Sequence, residues 1–141
     1  MLLTWGSGYS VGVPAMDIQH KALFGMLNEL HEAMLTGRGQ QATRLLLKRL
    51  VDYTRDHFAA EEKAMSAAGY PELVKHRAEH EALTRRVQEY VVRLESSETA
   101  INLHLLTFLR EWLSKHIQQT DKNYGPWVSG KREALEGCSA A

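Results

Sequence analysis

Two pairs of side chains, His57/Glu61 and His76/His80, share a spacing of four residues. On an α-helix that spacing stacks both groups on one face, one turn apart. Metal-binding groups on a stripe that is otherwise apolar demand helices whose inner faces converge, and this constrains the fold more than any other feature. The same residue types recur at His20 before these pairs and at His116 and Asp121 after them. Five imidazoles and two carboxylates suit two octahedral metal ions if both carboxylates bridge and one position stays open.

The apolar periodicity supports four helices, at roughly 14–37, 40–68, 71–95 and 98–119. The first starts near Pro14, whose fixed φ suits a first helical turn, and carries His20, Leu23, Leu27, Leu30 and Met34 on one stripe. The second aligns Leu46, Leu50, Tyr53, His57, Glu61 and Ala64 and stops at Gly69, ahead of Pro71. The third, from Pro71, aligns Leu73, His76, His80, Leu83, Val87 and Leu94, with a break at Ser96 and Ser97. The fourth aligns Leu105, Leu109, Trp112, Leu113 and His116, and Asn123, Gly125 and Pro126 mark its end.

No sustained alternation or hairpin turn signals a strand. Long helices joined by short breaks pack antiparallel, so the expected fold is all-α, an up-down-up-down four-helix bundle. Residues 1–13 form an N-terminal arm in which Trp5 and Tyr9 need an apolar surface. Residues 1–127 are expected to make one domain. Residues 128–141 are expected to be a loosely held tail, with one short helix around Lys131–Leu135.

Lys+Arg and Asp+Glu balance at 17 each, which argues against a nucleic-acid surface or a polybasic membrane anchor. No apolar run approaches the roughly 18 residues that span a bilayer, and the first residues lack a signal-peptide pattern. Cys138 is the single cysteine, so no internal disulfide can form, and a cytoplasmic setting is expected. Balanced charge and no evident apolar outer patch point to a monomer.

A single histidine on an apolar face is usually an ordinary hydrogen-bonded core residue. Here every helix carries one on its inward stripe. Buried Glu61 and Asp121 would each cost several kcal/mol unless a cation compensates them. The turn at Gly69-Tyr70-Pro71 brings the two four-residue pairs to similar height. His116 and Asp121 fit less simply, because a spacing of five turns through about 140° on an ideal helix. The helix either widens into a π-turn or ends between them, and the following Asn123, Gly125 and Pro126 favour an ending. His31 lies roughly 16 Å along the helix from His20 and belongs to another layer. His104 points elsewhere, and Glu32 and Glu62 are expected to be solvated.

The order H…H-x-x-x-E…H-x-x-x-H…H-x-x-x-x-D resembles the hemerythrins. The segments Tyr9–Val13, Asp17–Lys21, His57–Glu62, Gly69–Pro71 and Trp112–Ile117 are similar to the bacterial single-domain branch, from about Trp5 to Trp127. The resemblance implies a non-haem centre of two iron ions per chain (Fe2+/Fe3+) with a bridging oxo or hydroxo group. His76, His80 and His116 would hold one iron. His20 and His57 would hold the other, which keeps an empty position, and Glu61 and Asp121 would bridge. Leu113 and Phe58 resemble the apolar residues of the family's oxygen pocket.

A histidine-rich set with few carboxylates favours binding dioxygen over activating it. If O2 takes up two electrons together with the bridging proton, the formal charge of the centre stays the same. The low-dielectric interior therefore pays no charging cost. The expected function is reversible dioxygen binding without turnover, for storage, delivery or scavenging, with an oxygen-consuming enzyme or a membrane as recipient. Two alternatives stand beside it. One is an oxygen, redox or iron sensor, for which 141 residues leave little room for a signalling domain. The other is an enzyme handling peroxide or nitric oxide, for which no dedicated acid or base is evident.

Overall fold

A computed structural model describes residues 2–97 and 103–130. A 3₁₀ turn at Ser7–Tyr9 precedes helices α1 (Pro14–Leu35), α2 (Gln40–Ala67), α3 (Leu73–Ser97) and α4 (Leu103–Lys115). A π-helical segment, His116–Asp121, then leads directly into α5 (Lys122–Val128). Neighbouring helices pack in sequence, α1 on α2 and α2 on α3, and α4 closes against α1, giving an all-helical four-helix bundle with an N-terminal segment. No described helix is long and apolar enough to cross a membrane.

Leu23, Leu27 and Leu30 of α1 are fully buried, as the stripe predicts, and Phe24, outside that stripe, is buried with them. They meet Leu47, Leu50 and Met65 of α2 and Leu105 and Leu106 of α4 in one apolar core. Each such side chain contributes about 1.5–3 kcal/mol of burial energy. The polar site forms the end of this core where α2 finishes and α3 begins.

The α2–α3 turn that sets the height of the site depends on Gly69. Its φ of 69° is left-handed, and the Gly69 and Tyr70 amides donate to the Ser66 and Met65 carbonyls. That pair of bonds closes a helix end in a form a side chain at this φ would strain. Helix α3 starts at Leu73, after a turn at Pro71 and Glu72, and includes Ser96 and Ser97, where a break is expected from sequence. The beginning of the fourth helix, at 98–102, and the proposed short helix at Lys131–Leu135 lie outside the described residues.

The largest departure lies at the end of the fourth helix. It does not stop near residue 119. It widens at His116–Asp121 and continues to Val128, with Pro126 inside α5. Gly125 therefore ends nothing. A Cβ built on it would sit 2.0 Å from the Val11 carbonyl oxygen, so this position lets the arm lie against the helix. The arm is fixed at several further points. Asp17 accepts from Ser10 Oγ at 2.6 Å and the Val11 amide at 2.8 Å, and Asn28 exchanges two bonds with the Leu3 backbone. Trp5 and Tyr9 find their apolar surface on Phe24, with centroids 5.3 and 4.8 Å away.

Candidate metal centre

All seven side chains singled out from sequence meet inside the bundle, and each is at most 6% exposed. Helix α1 delivers His20, α2 delivers His57 and Glu61, α3 delivers His76 and His80, and the π-segment delivers His116 and Asp121. The π-segment resolves the awkward five-residue spacing. A chain hydrogen-bonded i to i+5 winds more slowly than an α-helix, so five residues overshoot a full turn far less and both groups face inward. His116 Nε2 lies 2.9 Å from Asp121 Oδ1.

The donor atoms form two groups sharing both carboxylates. One comprises His76, His80 and His116 with Glu61 and Asp121; the other comprises His20 and His57 with the same carboxylates. Within each group, candidate donor atoms lie within 4.8 Å of one another. Asp121 turns Oδ2 toward His20 Nε2 at 3.0 Å and Oδ1 toward His76 Nε2 at 3.0 Å. Glu61 turns Oε2 toward His20 at 3.1 Å, while Oε1 faces His57 at 3.2 Å and His80 at 3.3 Å.

The donors fit metal better than they fit one another. Adjacent ligands on an octahedron with bonds of about 2.1 Å stand about 3 Å apart, close to the separations of the histidine–carboxylate pairs above. His80 Nε2 and His116 Nε2 face each other at 3.1 Å. Both rings direct Nδ1 at a carboxylate, Glu62 at 3.0 Å and Glu79 at 3.1 Å. A carboxylate only accepts, so each Nδ1 carries its ring's hydrogen and two Nε2 lone pairs point at one place. A cation between them removes that conflict. Glu61 Oε1, His76 Nε2 and both Asp121 oxygens are likewise buried without a hydrogen-bond partner.

The electrostatics of the metal-free chain express the same demand. Burial works against an imidazolium at His20, but the adjoining Asp121 and Glu61 carboxylates outweigh it and push its pKa up to about 9. Burial also works against ionised Glu61, yet His20, His57 and His80 hold its carboxyl well below the usual range. Asp121 is opposed by burial and by the Glu61 charge, and His116, His20 and His76 still hold it low. Two buried anions surrounded by imidazoles form a seat for positive charge.

The residues around the ligand set were less legible. Glu62, expected to be solvated, is half-buried; it accepts from His80 Nδ1 and is held by Arg77 Nε at 2.8 Å. Gln19 Oε1 accepts from His57 Nδ1 at 2.6 Å. Tyr124, fully buried, donates its hydroxyl to Glu61 Oε2. Burial and the Glu61 and Asp121 charges raise its pKa far above the ordinary phenol, so it stays a donor. A tyrosine three residues beyond Asp121 is a signal only if the helix continues.

Phe58 stacks on His80, with centroids 3.7 Å apart and planes 4° from parallel, and Trp112 stacks on His116 at 4.3 Å. Phe58 thus lies against the three-histidine group. Leu113 is half-buried and lines a small apolar cavity of about 30 Å³ with Leu23, Leu50, Leu83, Leu109 and Trp112. His31 is half-buried on α1 away from the site, and His104 and Glu32 are exposed.

Residues 11–128 match the Hemerythrin HHE cation binding domain family. A bacteriohemerythrin of Stenotrophomonas maltophilia is 39% identical over 127 residues, covering 90% of this chain and 82% of the relative. A bacteriohemerythrin of Methylococcus capsulatus is 35% identical over 129 residues, covering 91% and 98%. The crystal structure of a wild-type hemerythrin superposes with a TM-score of 0.87 at 35% identity, covering 92% of this chain and 99% of that one. The helix order, the buried histidine–carboxylate cluster and these similarities lead to one conclusion: the chain belongs to the hemerythrin family.

Proposed function

We propose that this chain binds dioxygen reversibly at a di-iron centre held by His20, His57, Glu61, His76, His80, His116 and Asp121, serving oxygen storage, delivery or scavenging. The observation that carries this reading is the inequality of the two donor groups, three imidazoles against two, around shared carboxylates. Six-coordinate ions filling both positions would leave the His20/His57 side one protein ligand short, and that is where a small ligand enters. Imidazole with bridging carboxylate suits iron, and the similar proteins bear the name bacteriohemerythrin. Bound iron would supply the electrons that hold dioxygen reversibly.

The chain's own residues do the rest. Gln19, Glu62 and Glu79 fix the rings of His57, His80 and His116 through their Nδ1 hydrogens. Tyr124 holds Glu61 from outside the ligand set. Leu23, Leu113 and Trp112 line the apolar cavity, whose surface offers water scarcely any hydrogen-bond partner and would limit its entry. None of these groups is a free acid or base, which favours a binder over an enzyme. Metal analysis followed by anaerobic reduction and oxygen titration tests the reading. About two irons per chain are expected, with a visible band that forms with oxygen and disappears on its removal. One iron per chain, or no reversible band, would overturn it.

A further inference from the structure

The two donor groups differ in what stands behind them as well as in number. In the three-histidine group, two of the rings donate Nδ1–H to carboxylates: His80 to Glu62 at 3.0 Å and His116 to Glu79 at 3.1 Å. Arg77 fixes Glu62 through its other oxygen at 2.8 Å. In the two-histidine group, His57 donates to the neutral amide of Gln19, and His20 Nδ1 is buried with no hydrogen-bond partner. A carboxylate behind an imidazole orients the ring and also makes Nε2 a more basic, more negative ligand; an amide only orients it.

We infer that Glu62 and Glu79 rank the two metal positions, so that the His76/His80/His116 position binds its ion more tightly and fills first, leaving the His20/His57 position as the weaker one. This rests on the metal-binding reading above. The weaker position is then the same one that has one protein ligand fewer. Both carboxylates are positioning residues, because they touch ring nitrogens and no metal-facing atom. Glu62 is 22% exposed and Glu79 39% exposed, so both charges are partly screened, and Arg77 offsets part of that of Glu62.

The test is anaerobic titration of ferrous iron into the metal-free full chain by calorimetry. Wild type should bind two ions in two resolved steps. Glu62→Gln and Glu79→Gln keep an oxygen that accepts the ring hydrogen but remove the charge. Each should weaken the first step alone, together on the order of ten- to a hundredfold, with circular dichroism of the metal-free chains unchanged. The reverse change, Gln19→Glu, places a carboxylate behind His57 and should tighten the second step, narrowing the gap. Two equal steps in wild type, equal weakening of both steps by the glutamine variants, or no response to Gln19→Glu would each overturn the ranking while leaving a two-ion centre intact. Failure of wild type to bind two ions would overturn the metal reading itself.

Discussion

Replacing Tyr124 with Phe removes one oxygen from the interior and little else. The ring of Tyr124 is fully buried and packs 5.6 Å from His76, so the apolar contacts persist in the variant. What disappears is the donor to Glu61 Oε2, leaving that oxygen with His20 alone. A hydrogen bond to a buried charged acceptor contributes about 1.5–3 kcal/mol. At about 2–4 °C per kcal/mol for a domain of this size, the metal-free variant should melt about 3–12 °C lower. Iron affinity should also fall, by about ten- to a hundredfold, because Glu61 is then held less firmly. Thermal unfolding by circular dichroism and ferrous titration measure the two effects. A double-mutant cycle with Glu61→Gln isolates the pair and should return a coupling of about 1 kcal/mol or more. Unchanged melting and unchanged iron affinity in Tyr124→Phe, or a coupling near zero, would refute the assignment of Tyr124 as the support of Glu61.

Leu113→Ala should still take up two irons, but its oxygenated form should decay faster to the ferric state, since water enters the enlarged cavity; stopped-flow spectra of the two proteins give the lifetimes, and equal lifetimes would count against a protective role. Gly125→Ala forces a Cβ toward the Val11 carbonyl, only 2.0 Å away, and should cost about 1–3 kcal/mol while freeing the arm, seen as faster amide exchange at Val11. In the metal-free protein His20 titrates at about 9 when folded, above its ordinary 6.5. Its contribution to stability is therefore full below pH 6.5 and is lost as the pH rises toward 9. The lowered Glu61 and Asp121 act oppositely, losing their contribution as the pH falls below the ordinary carboxylate range. Urea unfolding across this range should show the alkaline loss in the metal-free chain and not in the iron-loaded one, where His20 is already neutral; a flat profile between pH 6.5 and 9 would contradict the His20 assignment.

Much of the site is visible in the one-dimensional pattern because the α-helix is a local structure. Four residues make nearly one turn, so His57 with Glu61 and His76 with His80 share a face wherever the helices go. The apolar stripes containing Leu23, Leu27 and Leu30, or Leu83 and Val87, follow from the same period. Four stripes joined by short breaks leave few ways to bury themselves. Hence the ligand candidates and the bundle follow from the sequence by itself.

Groups that meet across helices carry no such local mark. Glu62 next to Glu61, Glu79 next to His80 and Gln19 next to His20 look like solvent-facing neighbours, and only packing turns each toward an imidazole of another helix. The π-segment is the clearest case. Locally, the five-residue spacing of His116 and Asp121 allows either a wider turn or a helix end, and Gly125 and Pro126 favour the ending. The wider turn forms where Asp121 can reach His20, His76 and His116, while Gly125 admits the Val11 backbone beside the continued helix. Contacts from α1, α3 and the arm outweigh the local preference, and because they come from far along the chain, only the tertiary structure decides them.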